Sequence, residues 1–85
     1  MQEYNIQKTL VKILEKRSGI NFSEHAELCD TKLLGTVIGL PARELLHIYF
    51  DIEQQFGITI SEEDIVSGKF DTFKHISEIV RKNYK

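Results

Sequence analysis

The strongest constraint on this chain is that its apolar residues recur at helical spacing in three separate stretches. Steps of three and four residues place such side chains on one face of an α-helix, where they can pack against a neighbour. The three sets are Ile6, Leu10, Ile13 and Leu14; Leu45, Ile48, Tyr49, Ile52 and Phe56; and Phe73, Ile76, Ile79 and Val80. We therefore predict an all-α bundle built on three main helices.

Helix-ending and helix-starting residues divide these stretches. Gly19 and Gly57 follow the first and second sets and can adopt the left-handed conformation that ends a helix. Pro41 precedes the second set and is tolerated in the first helical turn. Ser61 is followed three residues later by Asp64, a spacing that resembles a capping box. We predict a short third helix after Ser61, because the residues 67–68 form a turn almost at once.

The remaining boundaries are less regular. Either Asp71 or Thr72 is predicted to cap the last helix, and Ser23 is a candidate cap for a short helix over residues 24–28. Between residues 20 and 40 the chain shows no sustained periodicity, and two glycines interrupt its apolar stretch. We predict a long ordered loop laid across the bundle, which is uncommon and often functional.

Length and composition exclude several classes of protein. Eighty-five residues suffice for one domain, residues 1–85, with one core. No apolar run approaches the roughly 20 residues that cross a membrane, and the amino terminus lacks an export signal. The net charge is -2, and the lysines and arginines form no cluster of the kind that binds nucleic acid. We expect a soluble, cytoplasmic monomer.

Candidate metal and catalytic groups are few. His25 and Cys29 lie four residues apart, and Glu24 and Asp30 are close in sequence. A structural zinc site normally needs four ligands, and the chain has no second Cys/His pair. The single cysteine fits a reducing compartment and is expected to be a small buried apolar residue. We expect no bound metal, no cofactor and no enzymatic activity.

Two segments carry a family resemblance. Residues 39–46 read GLPARELL and residues 56–65 read FGITISEEDI. Together with the order of helices, they resemble acyl and peptidyl carrier proteins, which have Gly-x-Asp-Ser-Leu at the start of their second helix and Phe-Gly-Ile about fourteen residues later. This resemblance implies a four-helix bundle with a long first loop and a short third helix. Counting back fourteen residues from Phe56 places Ala42 at the serine position.

The departure from the family pattern is chemically decisive. In carrier proteins the serine hydroxyl receives the phosphopantetheine arm, and the methyl group of Ala42 has no oxygen to accept it. Pro41 stands at the preceding aspartate position and Arg43 at the following leucine position. Three successive departures favour a natural sequence over an engineered serine knock-out. The alternatives are such a knock-out, a genuine carrier that is modified at another hydroxyl, or a domain that binds a free acyl chain in its core.

The other hydroxyl groups have simpler roles. Ser23, Ser61 and Thr72 are interpreted as helix caps. Ser67 lies in a turn and Ser77 is expected on the polar side of the last helix. Thr36 lies in the loop upstream of the second helix, without the surroundings of an attachment site.

The outward face of the second helix offers a candidate docking surface. Its predicted outward positions are Arg43, His47, Asp51 and Gln54, so the acidic docking face of carrier proteins is missing. Leu46 and Phe50 form a second apolar seam, which either packs on a neighbouring helix or, with Arg43 and His47, docks a partner. The chain resembles serine-lacking carrier-related proteins of bacterial peptide-maturation systems. That resemblance implies docking to a modifying enzyme or a precursor peptide.

Overall fold

The computed structural model describes residues 3–84, which form four α-helices and one short 3₁₀ helix. The four helices are α1 (Glu3–Ser18), α2 (Ala42–Phe56), α3 (Glu62–Val66) and α4 (Phe73–Asn83), and the 3₁₀ helix spans Ala26–Leu28. No strand occurs within those residues, so the all-α prediction is confirmed. The structure has a long connection between α1 and α2 and a third helix of only five residues.

The core lies where α1 packs against α2 and α4. The predicted faces of the three long helices are buried, and six side chains at their centre have no exposed surface: Leu10, Leu14, Ile48, Ile52, Ile76 and Val80. Burying a side chain of this size stabilises the fold by roughly 1.5–3 kcal/mol. Two residues of the predicted face of α2, Leu45 and Tyr49, are only half-buried because they lie toward α3.

Local signals fix the ends of these helices. Gly57 has φ 63° and ends α2 in the left-handed conformation, as predicted. The Ser61 hydroxyl accepts a hydrogen bond from the Asp64 backbone N–H (3.3 Å), and the Thr72 hydroxyl accepts one from the His75 N–H (3.1 Å). Both predicted caps are therefore confirmed, with Thr72 rather than Asp71 at the start of α4.

The loop between α1 and α2 contributes to the core. Phe22 is 1% exposed, and its ring stacks on that of Phe73 with centroids 5.0 Å apart and planes 11° apart. Leu33, further along the loop, has no exposed surface. The loop therefore packs against the first turn of α4.

Two backbone hydrogen bonds join this loop to the start of α4. The N–H of Leu33 donates to the carbonyl of Asp71 at 2.9 Å, and the N–H of Lys74 donates to the carbonyl of Cys29 at 3.0 Å. The first-turn N–H groups of a helix have no acceptor within the helix. The loop supplies that acceptor for Lys74, which explains how a long segment without repeating structure is ordered.

Two sequence predictions about serines are wrong. Ser23 does not cap a helix over residues 24–28; its hydroxyl bonds the side chain of Asn21, and the 3₁₀ helix begins only at Ala26. Ser77 is 2% exposed rather than on the polar side of α4, and its hydroxyl has no hydrogen-bond partner. It lies one turn after Phe73 and just under one turn before Val80, on the face that the loop covers.

An ion pair between a buried carboxylate on α3 and an exposed ammonium on α4 joins these two helices. Asp64 is 5% exposed; the Lys82 ammonium donates to its Oδ1 at 2.8 Å and the Ser61 hydroxyl to its Oδ2 at 3.0 Å. The hydrogen bond from Lys82, followed by that from Ser61, lowers the pKa of Asp64. These bonds connect the short α3, which has few buried residues of its own, to the longer α4.

Replacing Asp64 with asparagine should destabilise the chain near neutral pH and much less in acid. The folded-state pKa of Asp64 lies below its unfolded value of about 3.9, so its contribution is present above that value and is lost as the pH falls through the lowered pKa. Melting temperatures of both proteins between neutral pH and about pH 2 measure this, and they should converge in acid. Asp30→Asn is the control, because Asp30 is exposed and 3.8 Å from Lys74. A pH-independent difference for Asp64→Asn would contradict the assignment.

Candidate functional site

The outward face of α2 holds the four residues that the sequence indicates for docking. Arg43, Leu46, His47 and Phe50 are all exposed, whereas the opposite face of the helix is buried in the core. Leu46 is 54% exposed and Phe50 53%. About half of each side chain is thus covered, and Leu46 shares a cleft with Ile65 of α3, so the seam is partly packed and partly open to a partner.

An apolar cleft between α2 and α3 borders this face. It has a volume of about 220 Å³ and is lined by Ala42, Leu45, Leu46, Tyr49, Ile65 and Phe70. Sequence reasoning missed Ile65, because α3 is too short to show a periodic apolar face, and Phe70, which lies in the turn between α3 and α4. The only available signal was that Ile65 and Val66 are two adjacent apolar residues after three acids.

Aromatic contacts hold the exposed Phe50 in place. Its ring meets that of Tyr49 edge-on, with centroids 5.6 Å apart, and Tyr49 meets Phe70 in the same manner at 5.9 Å. Desolvation, followed by the nearby Glu53 carboxylate, raises the pKa of the Tyr49 phenol, which stays neutral. Phe50 is thus a large apolar side chain that is exposed to solvent and whose position is fixed by its contact with Tyr49.

The acidic residues of α2 turn away from this face. Asp51 was predicted to point outward, but it is half-buried and accepts a hydrogen bond from Nε of Arg17 on α1 at 3.0 Å. Arg17 also lies 3.8 Å from Glu44. The prediction for Asp51 is wrong because α1 supplies a cation that draws it inward. Arg43 and His47 therefore form a basic edge along the outer side of α2.

The opposite side of the cleft is acidic. Glu62 and Glu63 are exposed in the first turn of α3, where negative charge is favourable at a helix amino terminus. Val66 lies one turn after Glu62 and is 77% exposed, and Ile65 is 39% exposed. An apolar surface is thus bordered by a basic edge on α2 and an acidic edge on α3.

Ala42 is the first residue of α2 and lies at the cleft. Pro41, which precedes the helix with φ -63°, and Arg43 are exposed on either side of it. A hydroxyl at this position would be accessible, but alanine provides none. Of the other hydroxyls, that of Ser67 donates to the Asp64 carbonyl at 3.2 Å, and Thr36 is exposed in the loop.

The candidate metal ligands His25 and Cys29 have separate surroundings. His25 is exposed with its Nδ1 3.4 Å from Glu27, whereas the Cys29 thiol is half-buried and faces the Phe22 carbonyl at 3.8 Å. Desolvation, followed by the charges of Asp30 and Glu27, raises the pKa of the Cys29 thiol. A thiol that stays protonated is a poor nucleophile and a poor metal ligand. Among residues 3–84, no three histidine, cysteine, aspartate or glutamate side chains form a metal-binding group.

Comparison with known proteins found no match. Neither the models of protein families nor the curated proteins and solved structures include one that is detectably similar to this chain. In the part of the chain that the structure describes, no helix combines the length and apolar character needed to cross a membrane.

Proposed function

We propose that this chain is a carrier-protein-like docking module that has no phosphopantetheine attachment site. The observation behind the proposal is the exposed pair Leu46 and Phe50 on the helix that begins at Ala42. The helix order, with a long loop before α2 and a short capped α3, supports an acyl-carrier-protein-like bundle. The chain would then retain the shape of a carrier and its contact surface without the group that carries cargo.

Docking on this surface follows from apolar burial and charge. Large apolar side chains that are exposed together, beside a cleft, stabilise a complex when a partner covers them. Arg43 and His47 at the edge favour a partner with acidic groups opposite them and speed its approach. The usual carrier partners, which meet an acidic helix, should bind poorly. No step of this mechanism requires catalysis, a metal or a cofactor.

The proposed partner is a protein, either a modifying enzyme or its precursor peptide in bacterial peptide maturation. The proposed binding form is the monomer in the cytoplasm. The small cleft admits one or two apolar side chains, which fits a peptide segment or a protruding loop. The resemblance stated for residues 39–65 supports this choice of partner.

Changing the docking surface should abolish partner capture without unfolding the chain. Leu46→Asp places a charge where an apolar group would be buried, and Arg43→Glu reverses the basic edge, so each should weaken capture at least about tenfold. The immobilised chain is incubated with candidate enzymes and peptides from the same gene neighbourhood, and bound protein is quantified. Circular dichroism checks that each variant is folded.

The chain offers matched controls for both changes. Leu34 is 53% exposed, nearly the same as Leu46, but it lies in the loop and does not line the cleft. Lys12 is an exposed cation on α1. Leu34→Asp and Lys12→Glu should leave capture unchanged. Equal capture by Leu46→Asp, Arg43→Glu and the unmodified chain would remove this proposal.

A further inference from the structure

The surface around the cleft carries charges of opposite sign on its two sides, so it is complementary to a second copy of itself. We define the α2–α3 patch as the exposed apolar residues on both sides of the cleft, Leu46, Phe50, Ile65 and Val66. Arg43 and His47 are exposed on the same side of the cleft as Leu46 and Phe50, and Glu62 and Glu63 are exposed on the same short helix as Ile65 and Val66. The α2 side of the patch therefore carries positive charge and the α3 side negative charge.

A two-fold axis that runs along the cleft, parallel to its two sides, brings unlike charges together. In such a dimer the α2 side of one protomer faces the α3 side of its partner. Arg43 of one protomer would then face Glu62 of the other, twice in the dimer. A partner with a single kind of charge would meet repulsion at one of the two edges.

We propose that the α2–α3 patch pairs two copies of this chain in a weak, two-fold symmetric dimer. In the dimer, Leu46 and Phe50 of one protomer cover Ile65 and Val66 of the other. The net charge of -2 adds little long-range repulsion between copies. Because the patch consists of only four side chains, the interface belongs to the small class that dissociates readily, below about 1,200 Å² in total. The dimer should therefore form at high protein concentration and dissociate on dilution.

This inference concerns the chain alone and does not rest on the proposed function. It does have a consequence for docking, because the dimer covers the residues that a partner would contact. Self-association and partner binding would then compete for Leu46 and Phe50, and the monomer is the form that binds. If the chain dimerises but captures no partner, only the dimer proposal stands. If it captures a partner but never dimerises, only the docking proposal stands.

Charge exchange provides the sharpest test. Four proteins are compared: the unmodified chain, Arg43→Glu, Glu62→Arg and the double variant. Sedimentation equilibrium at low salt, over a wide range of protein concentration, gives the dissociation constant of each dimer. Each single change puts like charges opposite each other and should weaken the dimer at least about fivefold. The double variant restores unlike pairs and should return to within about twofold. Lys12→Glu is the control outside the patch.

Other outcomes would overturn the proposal. A chain that stays monomeric up to millimolar concentration has no such dimer. A dimer that Val66→Asp and Leu46→Asp leave intact does not use the patch. A double variant as weak as the single variants would exclude the pairing of Arg43 with Glu62. Melting temperatures of all variants show whether any loss reflects unfolding instead.

Discussion

Incubation of this chain with coenzyme A and a broad-specificity phosphopantetheinyl transferase should leave its intact mass unchanged. In the proposed carrier-like bundle the transferase would need a hydroxyl at the start of α2, and Ala42 presents a methyl group there. The hydroxyls of Ser61 and Thr72 cap helices, that of Ser77 is buried, and those of Ser67 and Thr36 lie in a turn and a loop. Mass spectrometry of the intact protein measures the result. A gain of one phosphopantetheine at any serine or threonine would favour a genuine carrier over the proposed docking module.

The matched experiment restores the missing group. The triple variant Pro41→Asp, Ala42→Ser and Arg43→Leu recreates the carrier pattern at three exposed positions, so it should fold normally. We expect it to gain one phosphopantetheine, an all-or-none change relative to the unmodified chain. Ala42→Ser alone should be labelled more slowly, because Pro41 and Arg43 still flank the hydroxyl. A folded triple variant that accepts no label would contradict the proposed likeness to carrier proteins.

Replacing Phe73 with alanine should remove a large part of the stability of the fold. Phe73 is 2% exposed and stacks on Phe22, so its loss leaves a cavity where the loop meets α4. Changes of this kind cost about 3–5 kcal/mol, and domains are stable by only about 5–15 kcal/mol in total. Urea unfolding followed by circular dichroism measures the difference in the free energy of unfolding.

Phe50 provides the control for this experiment. It is the same residue type on another helix, but it is 53% exposed. Phe50→Ala should cost at most about 1 kcal/mol, because it loses an edge contact with Tyr49 and little burial. Equal losses from the two substitutions would show that the contact between loop and helix contributes nothing particular to the fold.

Features that depend on residues close together in the sequence could be predicted from it. Periodic apolar residues gave the faces of α1, α2 and α4, and Ser61 and Thr72 were identified as caps because capping bonds span three residues. These properties depend on spacing within a single helix, which a sequence displays directly. The sequence left open whether Leu46 and Phe50 pack on a neighbouring helix or face solvent, and the structure leaves each about half exposed.

Features that depend on distant segments were not predictable in this way. The burial of Phe22 and of Ser77 depends on how the loop lies over α4, and nothing in the local sequence specifies that. Asp51 points inward because it accepts a hydrogen bond from Arg17, which belongs to another helix. The cleft was missed for the same reason, since Ile65 comes into contact with α2 only through the path of the chain after Gly57.

The two backbone hydrogen bonds between the loop and the start of α4 restrict how this protein can open. Any excursion of the loop at Cys29 or Leu33 leaves the first-turn amide of Lys74 and the carbonyl of Asp71 without their partners. The loop and the leading end of α4 therefore open and close as one cooperative unit rather than separately. A partner that bound the loop by pulling it outward would also have to break these bonds at the start of α4, so the proposed partner should bind the exposed face of α2, where no such bonds need to break.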